Sequence, residues 1–424
     1  MDIFKIIGEN RLSGSVNISG SKNAALPILF STLLSGDSHT IRSVPNLRDM
    51  DSTMKMLLFL GAKVNIKHDS AWGSEWSIDH KDINPDAFAP YDLVRKMRAS
   101  TLVLGPLLAR FGRAKVSLPG GCAIGSRPID IHLESLKKLG ATIIQEGGYI
   151  KANGQLKGNK IIFPFPSVGA TQNIVMAATL AKGQTEIVNV AREPEIVAFV
   201  KSLKSMGAQI EGEGSNKILI QGVDELKAAT MTIPSDRIEA ATYMILTQMV
   251  GGEVDVNNVC LEDHDWLMSS LEKTGAKIER AQNSLKIQSS EVIQPLDQET
   301  APYPAFATDI QAQWMALMTQ ANGDSMVTEN IFENRFMHVP ELKRLGAQMK
   351  VSGRNVTIKG LGRGSLMGAD VMATDLRASA SLILGALAAK GETEIKRIYH
   401  LDRGYESMEL KLRSLGAQVE RDSE

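Results

Sequence analysis

The chain has 424 residues, 43% hydrophobic and 22% charged, which is enough apolar sequence to bury substantial cores and most economically makes two domains. Lys and Arg number 47 against 48 Asp and Glu, so a net charge of -1 supplies no general field for nucleic acid or an anionic membrane, and any anion site has to be built locally. The longest apolar runs, at 57–60 and 382–389, fall well short of the roughly 20 residues of a membrane span. The opening Met1-Asp2-Ile3-Phe4-Lys5 lacks a signal-peptide pattern, and two cysteines make no disulfide framework, so a reducing cytoplasm is the expected setting.

In chain order, one unit is met six times. A Leu- or Met-rich helix ending in Gly-Ala and followed by an alternating strand is predicted to close at Gly61, Gly140, Gly207, Gly275, Gly346 and Gly416. A second helix, also closed by glycine before a strand, is predicted at Gly36, Gly112, Gly183, Gly251, Gly323 and Gly391. The period of about 70 residues exceeds that of solenoids, so each unit holds enough strands for a small sheet of its own. The fold class is α/β, with three units per domain and a boundary near Thr230 to Pro234.

The predicted helix starts are polar, where unpaired N–H groups and the dipole favour anions. One set begins at Lys22-Asn23, Arg98-Ala99-Ser100, Ala170-Thr171, Asp236-Arg237, Thr308-Asp309 and Asp375-Leu376-Arg377. The other begins near Arg48, Arg127, Arg192, Arg335 and Arg403, with Asp263-His264-Asp265 in the fourth unit. Asp and Thr are ordinary helix caps. An arginine opposes the dipole, and its repetition calls for a bound anion, a nearby carboxylate or descent from a duplicated unit.

The stretch Leu118 to Pro128 carries Gly120, Gly121 and Gly125 around Cys122, with Pro128 expected in the first turn of the next helix and Arg127 at its edge. Neighbouring cations and a helix start would lower the thiol pKa and make Cys122 reactive. Cys260, in a strand-like run without glycine or adjacent arginine, is expected to be a small buried hydrophobe. There is no GxxxxGK[ST], no GxGxxG after a strand, no HExxH and no CxxC, and His132, His338 and His400 have no ligand spacing, so nucleoside triphosphate and metal chemistry lack support.

With Gly20 to Pro27, Lys96-Met97-Arg98-Ala99-Ser100, Leu118 to Pro128, Arg192 to Glu195, Ile331 to Val339, Ala373 to Ser379 and Asp402 to Tyr405 together, the chain resembles the UDP-N-acetylglucosamine enolpyruvyl transferases end to end. The resemblance implies an inside-out α/β barrel in two domains, residues 22–232 and residues 1–21 with 233–424, and an active site in the cleft between them. It implies transfer of the enolpyruvyl group of phosphoenolpyruvate to the 3′-hydroxyl of UDP-N-acetylglucosamine, through a tetrahedral intermediate, as the first committed step of peptidoglycan precursor synthesis. No cofactor, metal, nucleic acid or membrane is expected, and the oligomeric state is left open.

The same resemblance assigns roles residue by residue. Lys22 and Asn23 contact phosphoenolpyruvate, and Arg127 and Arg403 bind its phosphate and carboxylate. Cys122 protonates C3, forms a thioketal adduct and is the target of fosfomycin. Asp309 is the base for the sugar hydroxyl, and Asp375, beside Arg377, belongs to a proton relay near C3. The UDP-sugar is held by Arg98, Arg127, Pro128, Ile129, Asp130, Ile131, Ser167, Val168, Gly169, Asp309 and Ile331. One departure stands just before Ser167, where some relatives carry a lysine and this chain has Phe165-Pro166. The shikimate-pathway enolpyruvyl transferase shares the fold and chemistry but lacks the Cys122 arrangement. A non-catalytic UDP-sugar-binding repeat protein is opposed by the joint presence of Lys22, Cys122, Asp309 and Arg403.

Overall fold

The computed structural model describes residues 2–69, 73–86, 88–95, 97–118 and 129–423, with the backbone alone at Asp69 and Arg98. The described residues fall into two compact units, one from Gly20 to Pro234 and the other joining the residues through Ser19 to those from Ser235 onward. Each has its own apolar core.

Among the described residues the strands form six small sheets, five of four strands and one of three. A single plan runs through them. In the first, Thr230–Thr232 lies parallel to Ser38–Val44, which is followed by Gly73–Asp79 and the outer Lys63–Asp69, both pairings antiparallel. The sheet of Lys160–Ile162, Gln184–Val188, Lys217–Gln221 and Gln209–Glu211 repeats that order and polarity. In the middle unit the parallel partner shrinks to a single bridge, Ala89 with Val116, beside Arg113–Ser117, Tyr149–Asn153 and Thr142–Glu146. The other half repeats the plan with Leu12–Asn17 parallel to Gly252–Asn257, and with Asp2–Ile7 inserted between Glu392–Lys396 and Gln418–Ser423.

Each unit pairs two helices of different character. Val168–Thr179, Arg237–Val250, Gln311–Thr319 and Leu376–Ala388 are buried almost all round, which is why their sequences are apolar on every face. The last three pack on one another, so helices occupy the inside and sheets the outside. Arg48–Phe59, Asp130–Lys138, Pro194–Ser205 and Asp265–Lys273 bury one face only. The six Gly-Ala glycines all sit at positive φ, from 90° at Gly416 to 107° at Gly275, where a side chain would strain the turn. In the second set Gly36 is the exception. There the helix Lys22–Ser31 tightens into a 3-10 turn, Thr32–Leu34, and Ser35 makes the exit by accepting from the Asp37 N–H at 3.1 Å.

Two expectations are corrected. Cys260 is exposed, not buried, because Val259 takes the core position and Cys260 follows it at the cap of the turn Leu261–His264. Partial burial and then Asp263 push its thiol upward, away from reactivity. The arginines also sit differently. Arg48 opens its helix, but Pro194–Ser205, His338–Arg344 and Met408–Ser414 begin after Arg192, Arg335 and Arg403. Placing the cation in the preceding connection keeps it off the positive end of the dipole.

Candidate active site

In the unit from Gly20 to Pro234, Lys22 is the first residue of a helix capped by Ser21, whose hydroxyl accepts from the Ala24 N–H at 3.4 Å. An ammonium there opposes the dipole and is nearly buried, 12% exposed, and Asp49 from the first turn of Arg48–Phe59 compensates it at 2.8 Å. Asn23 follows, half-buried. The ion pair holds the lysine ammonium in place at the helix start.

Two further helix starts in this unit carry predicted residues. Ile129 caps Asp130–Lys138, with Ile131 in its first turn, and Ser167 caps Val168–Thr179, accepting from the Ala170 N–H. Arg98 opens the 3-10 turn Arg98–Val103. Asn173, fully buried, ties these segments together. Its carbonyl accepts from the Gly105 N–H at 2.7 Å, and its amide donates to the Thr101 carbonyl at 3.2 Å and to His132 Nδ1 at 3.0 Å. Gly169 packs against the His132 ring, where an added Cβ would stand 3.4 Å from Cε1. Phe165, where some relatives have a lysine, is exposed. Cys122, Arg127 and Pro128 lie outside the described residues, as does the side chain of Arg98.

In the other unit, Asp309 sits in the turn Thr308–Ile310 that leads into Gln311–Thr319. Arg335 Nη2 donates to its Oδ1 at 2.6 Å and Arg377 Nη2 to its Oδ2 at 3.2 Å, with both guanidinium groups almost wholly buried. Burial alone would raise the Asp309 carboxyl, but Arg377, Arg335 and the more distant Arg237 hold it well below the usual carboxylate range. Arg377 Nη1 also donates to the Tyr405 hydroxyl at 3.3 Å, and that hydroxyl meets Thr242 Oγ1 at 2.9 Å. Gln313 donates to Tyr405, to Thr242 and to the Asp309 carbonyl.

Asp375 is the cap of Leu376–Ala388, where Oδ1 accepts from the N–H groups of Arg377 at 2.8 Å and Ala378 at 3.0 Å. Arg377 therefore connects the two carboxylates, by its backbone to Asp375 and by its side chain to Asp309. Arg403 ends the turn Ile398–Arg403, and its neighbour Asp402 is anchored by Arg421 at 2.8 Å. Ile331 is 38% exposed, and its N–H donates to Glu329 Oε1 at 2.8 Å. Sequence reasoning missed Asp49, Asn173 and Glu329, none of which stands in a pattern that separates it from ordinary core or capping residues, and it gave Tyr405, inside the stretch Asp402 to Tyr405, no role.

Among the described residues no group of three or more His, Cys, Asp or Glu is placed to hold a metal, and no helix is long and apolar enough to cross a membrane. A cavity of about 720 Å³ lined by Arg110, Gln155, Lys182 and Asp224 lies at the C-terminal ends of Leu104–Phe111 and Val168–Thr179, away from the predicted residues.

UDP-N-acetylglucosamine 1-carboxyvinyltransferase of Geobacter metallireducens is 51% identical over 425 residues, covering 100% of both chains. The chain belongs to the UDP-N-acetylglucosamine 1-carboxyvinyltransferase family. The proteins of that name from Trichlorobacter lovleyi and Gluconobacter oxydans match at 51% and 50% identity, again over both full lengths. Residues 6–412 match the wider family model described as EPSP synthase (3-phosphoshikimate 1-carboxyvinyltransferase). Among solved structures, the enolpyruvyl transferase NikO from Streptomyces tendae superposes with a TM-score of 0.88 at 23% identity, covering 100% of this chain and 99% of that one. EPSP synthase from Acinetobacter baumannii superposes with a TM-score of 0.76 at 18% identity over both full chains. These likenesses define the fold, and the full-length relatives define the branch. In the UDP-N-acetylglucosamine 1-carboxyvinyltransferase family the helix starts of this chain become substrate-facing candidates.

Proposed function

We propose that this chain transfers the enolpyruvyl group of phosphoenolpyruvate to the 3′-hydroxyl of UDP-N-acetylglucosamine and releases phosphate, the first committed step of peptidoglycan precursor synthesis, in the cytoplasm. The observation that carries the reading is the Asp309 carboxylate clamped between Arg335 and Arg377 in a chain whose full-length relatives bear that activity in their name.

In this mechanism the sugar O3′ attacks C2 of phosphoenolpyruvate while its proton passes to Asp309, and C3 takes a proton from Cys122. A carboxylate held so far down is a weak base towards a resting hydroxyl. It works as a fixed acceptor that orients the hydroxyl and takes the proton as the C–O bond forms and that oxygen becomes strongly acidic. The tetrahedral intermediate then returns a proton from C3 to the Cys122 thiolate and releases phosphate from C2, restoring the double bond and the thiol. Lys22, with Asn23, Arg127 and Arg403, compensates the phosphate and carboxylate charge. Arg98, residues 127–131, Ser167 to Gly169 and Ile331 hold the UDP-sugar. Asp375 serves as helix cap and, through Arg377, as part of the relay near C3. Proton transfer and C–O bond formation need no cofactor.

The shikimate-pathway reading is disfavoured by the same comparison, since the solved EPSP synthase is 18% identical and the UDP-N-acetylglucosamine branch 51%. The deciding assay is phosphate release from phosphoenolpyruvate by the purified chain. Release is expected with UDP-N-acetylglucosamine and not with shikimate 3-phosphate, and the reverse pattern sinks the assignment.

A further inference from the structure

Glu329 is 1% exposed, and its carboxylate is saturated by neutral donors. Oε1 accepts from Thr300 Oγ1 at 3.0 Å, from the Ile331 N–H at 2.8 Å and from the Phe332 N–H at 3.0 Å. Oε2 accepts from Thr308 Oγ1 at 2.8 Å. The Thr308 hydroxyl has one proton, and it goes to Glu329, so the hydroxyl oxygen is left to accept. It accepts from Arg335 Nη1 at 2.8 Å, while Nη2 of the same guanidinium holds Asp309. The hydrogen bonds therefore run in one direction, from Arg335 through Thr308 to Glu329.

We propose that Glu329, acting through Thr308 and Arg335, is a positioning residue for the acceptor-sugar side of the reaction. One buried carboxylate fixes both the backbone that presents Ile331 and the guanidinium that aims Asp309. This rests on the functional reading above, in which Asp309 and Ile331 meet the sugar nucleotide. A cap confined to the loop would need only the two backbone N–H groups. The Thr308 link extends it to the residue before Asp309, so a shift of the Ile331 backbone is transmitted to the carboxylate through four hydrogen bonds, by way of Glu329, Thr308 and Arg335.

The test uses the full chain with Thr308→Val, which keeps the shape and removes the hydroxyl, and Thr308→Ser, which keeps the hydroxyl. Thr308→Val is expected to lower kcat roughly tenfold or more, since small misplacements of a reacting group are costly. The KM for phosphoenolpyruvate should hold within about twofold, because those contacts are elsewhere. The acid limb of kcat should move to higher pH, because Arg335, released from its Thr308 anchor, holds Asp309 less firmly beside Arg377, itself on Tyr405, and the distant Arg237. Thr308→Ser should restore wild-type kcat within about twofold. A Thr308→Val enzyme with unchanged kcat and acid limb overturns the proposal, as does a Thr308→Ser enzyme as defective as the valine variant. Wild-type protein that releases no phosphate with UDP-N-acetylglucosamine sinks the functional reading and this proposal together, whereas active wild type beside an unaffected Thr308→Val sinks this proposal alone.

Discussion

Asp375 has two possible roles, and one substitution separates them. Its Oδ1 caps Leu376–Ala388, a purely structural task that asparagine performs as well. Asp375→Asn is therefore expected to leave the melting temperature within a degree or two of wild type while kcat falls at least about tenfold, because the amide cannot exchange a proton with the site. Calorimetry and steady-state kinetics on the same preparation check this, and retention of full activity would reduce Asp375 to a cap. Lys22, Asp309 and Arg377 were legible in the sequence as polar groups at helix starts, whereas Arg403, expected at one, ends the turn Ile398–Arg403. Their partners were not. Asp49 reaches Lys22 and Tyr405 reaches Arg377 from other segments, and Arg335, which grips Asp309, is itself held by Thr308 and through it by Glu329; a carboxylate or hydroxyl in isolation carries no mark of what it will meet.

For whole elements, local pattern was a better guide. Helix closure by glycine was readable because the left-handed turn excludes most side chains, and the alternating strands were readable because burial alternates with the pleat. The helix starts were less so. Arg192, Arg335 and Arg403 fall in connections, since no sequence signal distinguishes the last loop residue from the first helical one when the residue is a long cation. The glycines give a graded test. At Gly207, with φ of 103°, an added Cβ meets nothing within 4 Å, so Gly207→Ala reports backbone strain alone, about 1–2 kcal/mol. At Gly275, with φ of 107°, the Cβ would stand 2.8 Å from Ser290 Oγ, so Gly275→Ala should cost more. Urea denaturation of the two variants measures the order, and equal losses would show that the Ser290 contact relaxes freely.

At the scale of the molecule, four histidines are locked in neutral form. Burial pushes His39 down to about 4 and His80 to about 3 in the unit from Gly20 to Pro234, with the neighbouring Arg110 acting in the same direction on both. Burial likewise lowers His264 to about 3 and His338 to about 4 in the other unit. An unfolded histidine titrates near 6.5, so between that value and about 4 the unfolded chain binds protons that the folded chain does not. Stability contributed by these groups is fully present above pH ~6.5 and drains away as the pH falls towards about 4 for His39 and His338 and about 3 for His80 and His264. The melting temperature should hold nearly level from pH 7.5 to about 6.5 and drop from there to 5.5, and His39→Gln should flatten that drop. A melting temperature independent of pH over that interval would falsify the neutral-histidine account.

The six-fold recurrence, the two glycine-closed helices of each unit, and the branch of the family were all determined by the sequence alone, because each is written in the spacing of apolar residues and glycines or in short contiguous motifs. Tertiary structure alone decided which strands complete which sheets. Thr230–Thr232 lies beside Ser38–Val44, and Asp2–Ile7 lies between Glu392–Lys396 and Gln418–Ser423. Tertiary structure also decided that Asp309 is gripped by two arginines from distant segments. The reason is the same in both cases. Alternation and periodicity record how deeply a residue is buried, but an open strand edge or an unpaired charge is satisfied by whichever complementary group the closed chain brings to it.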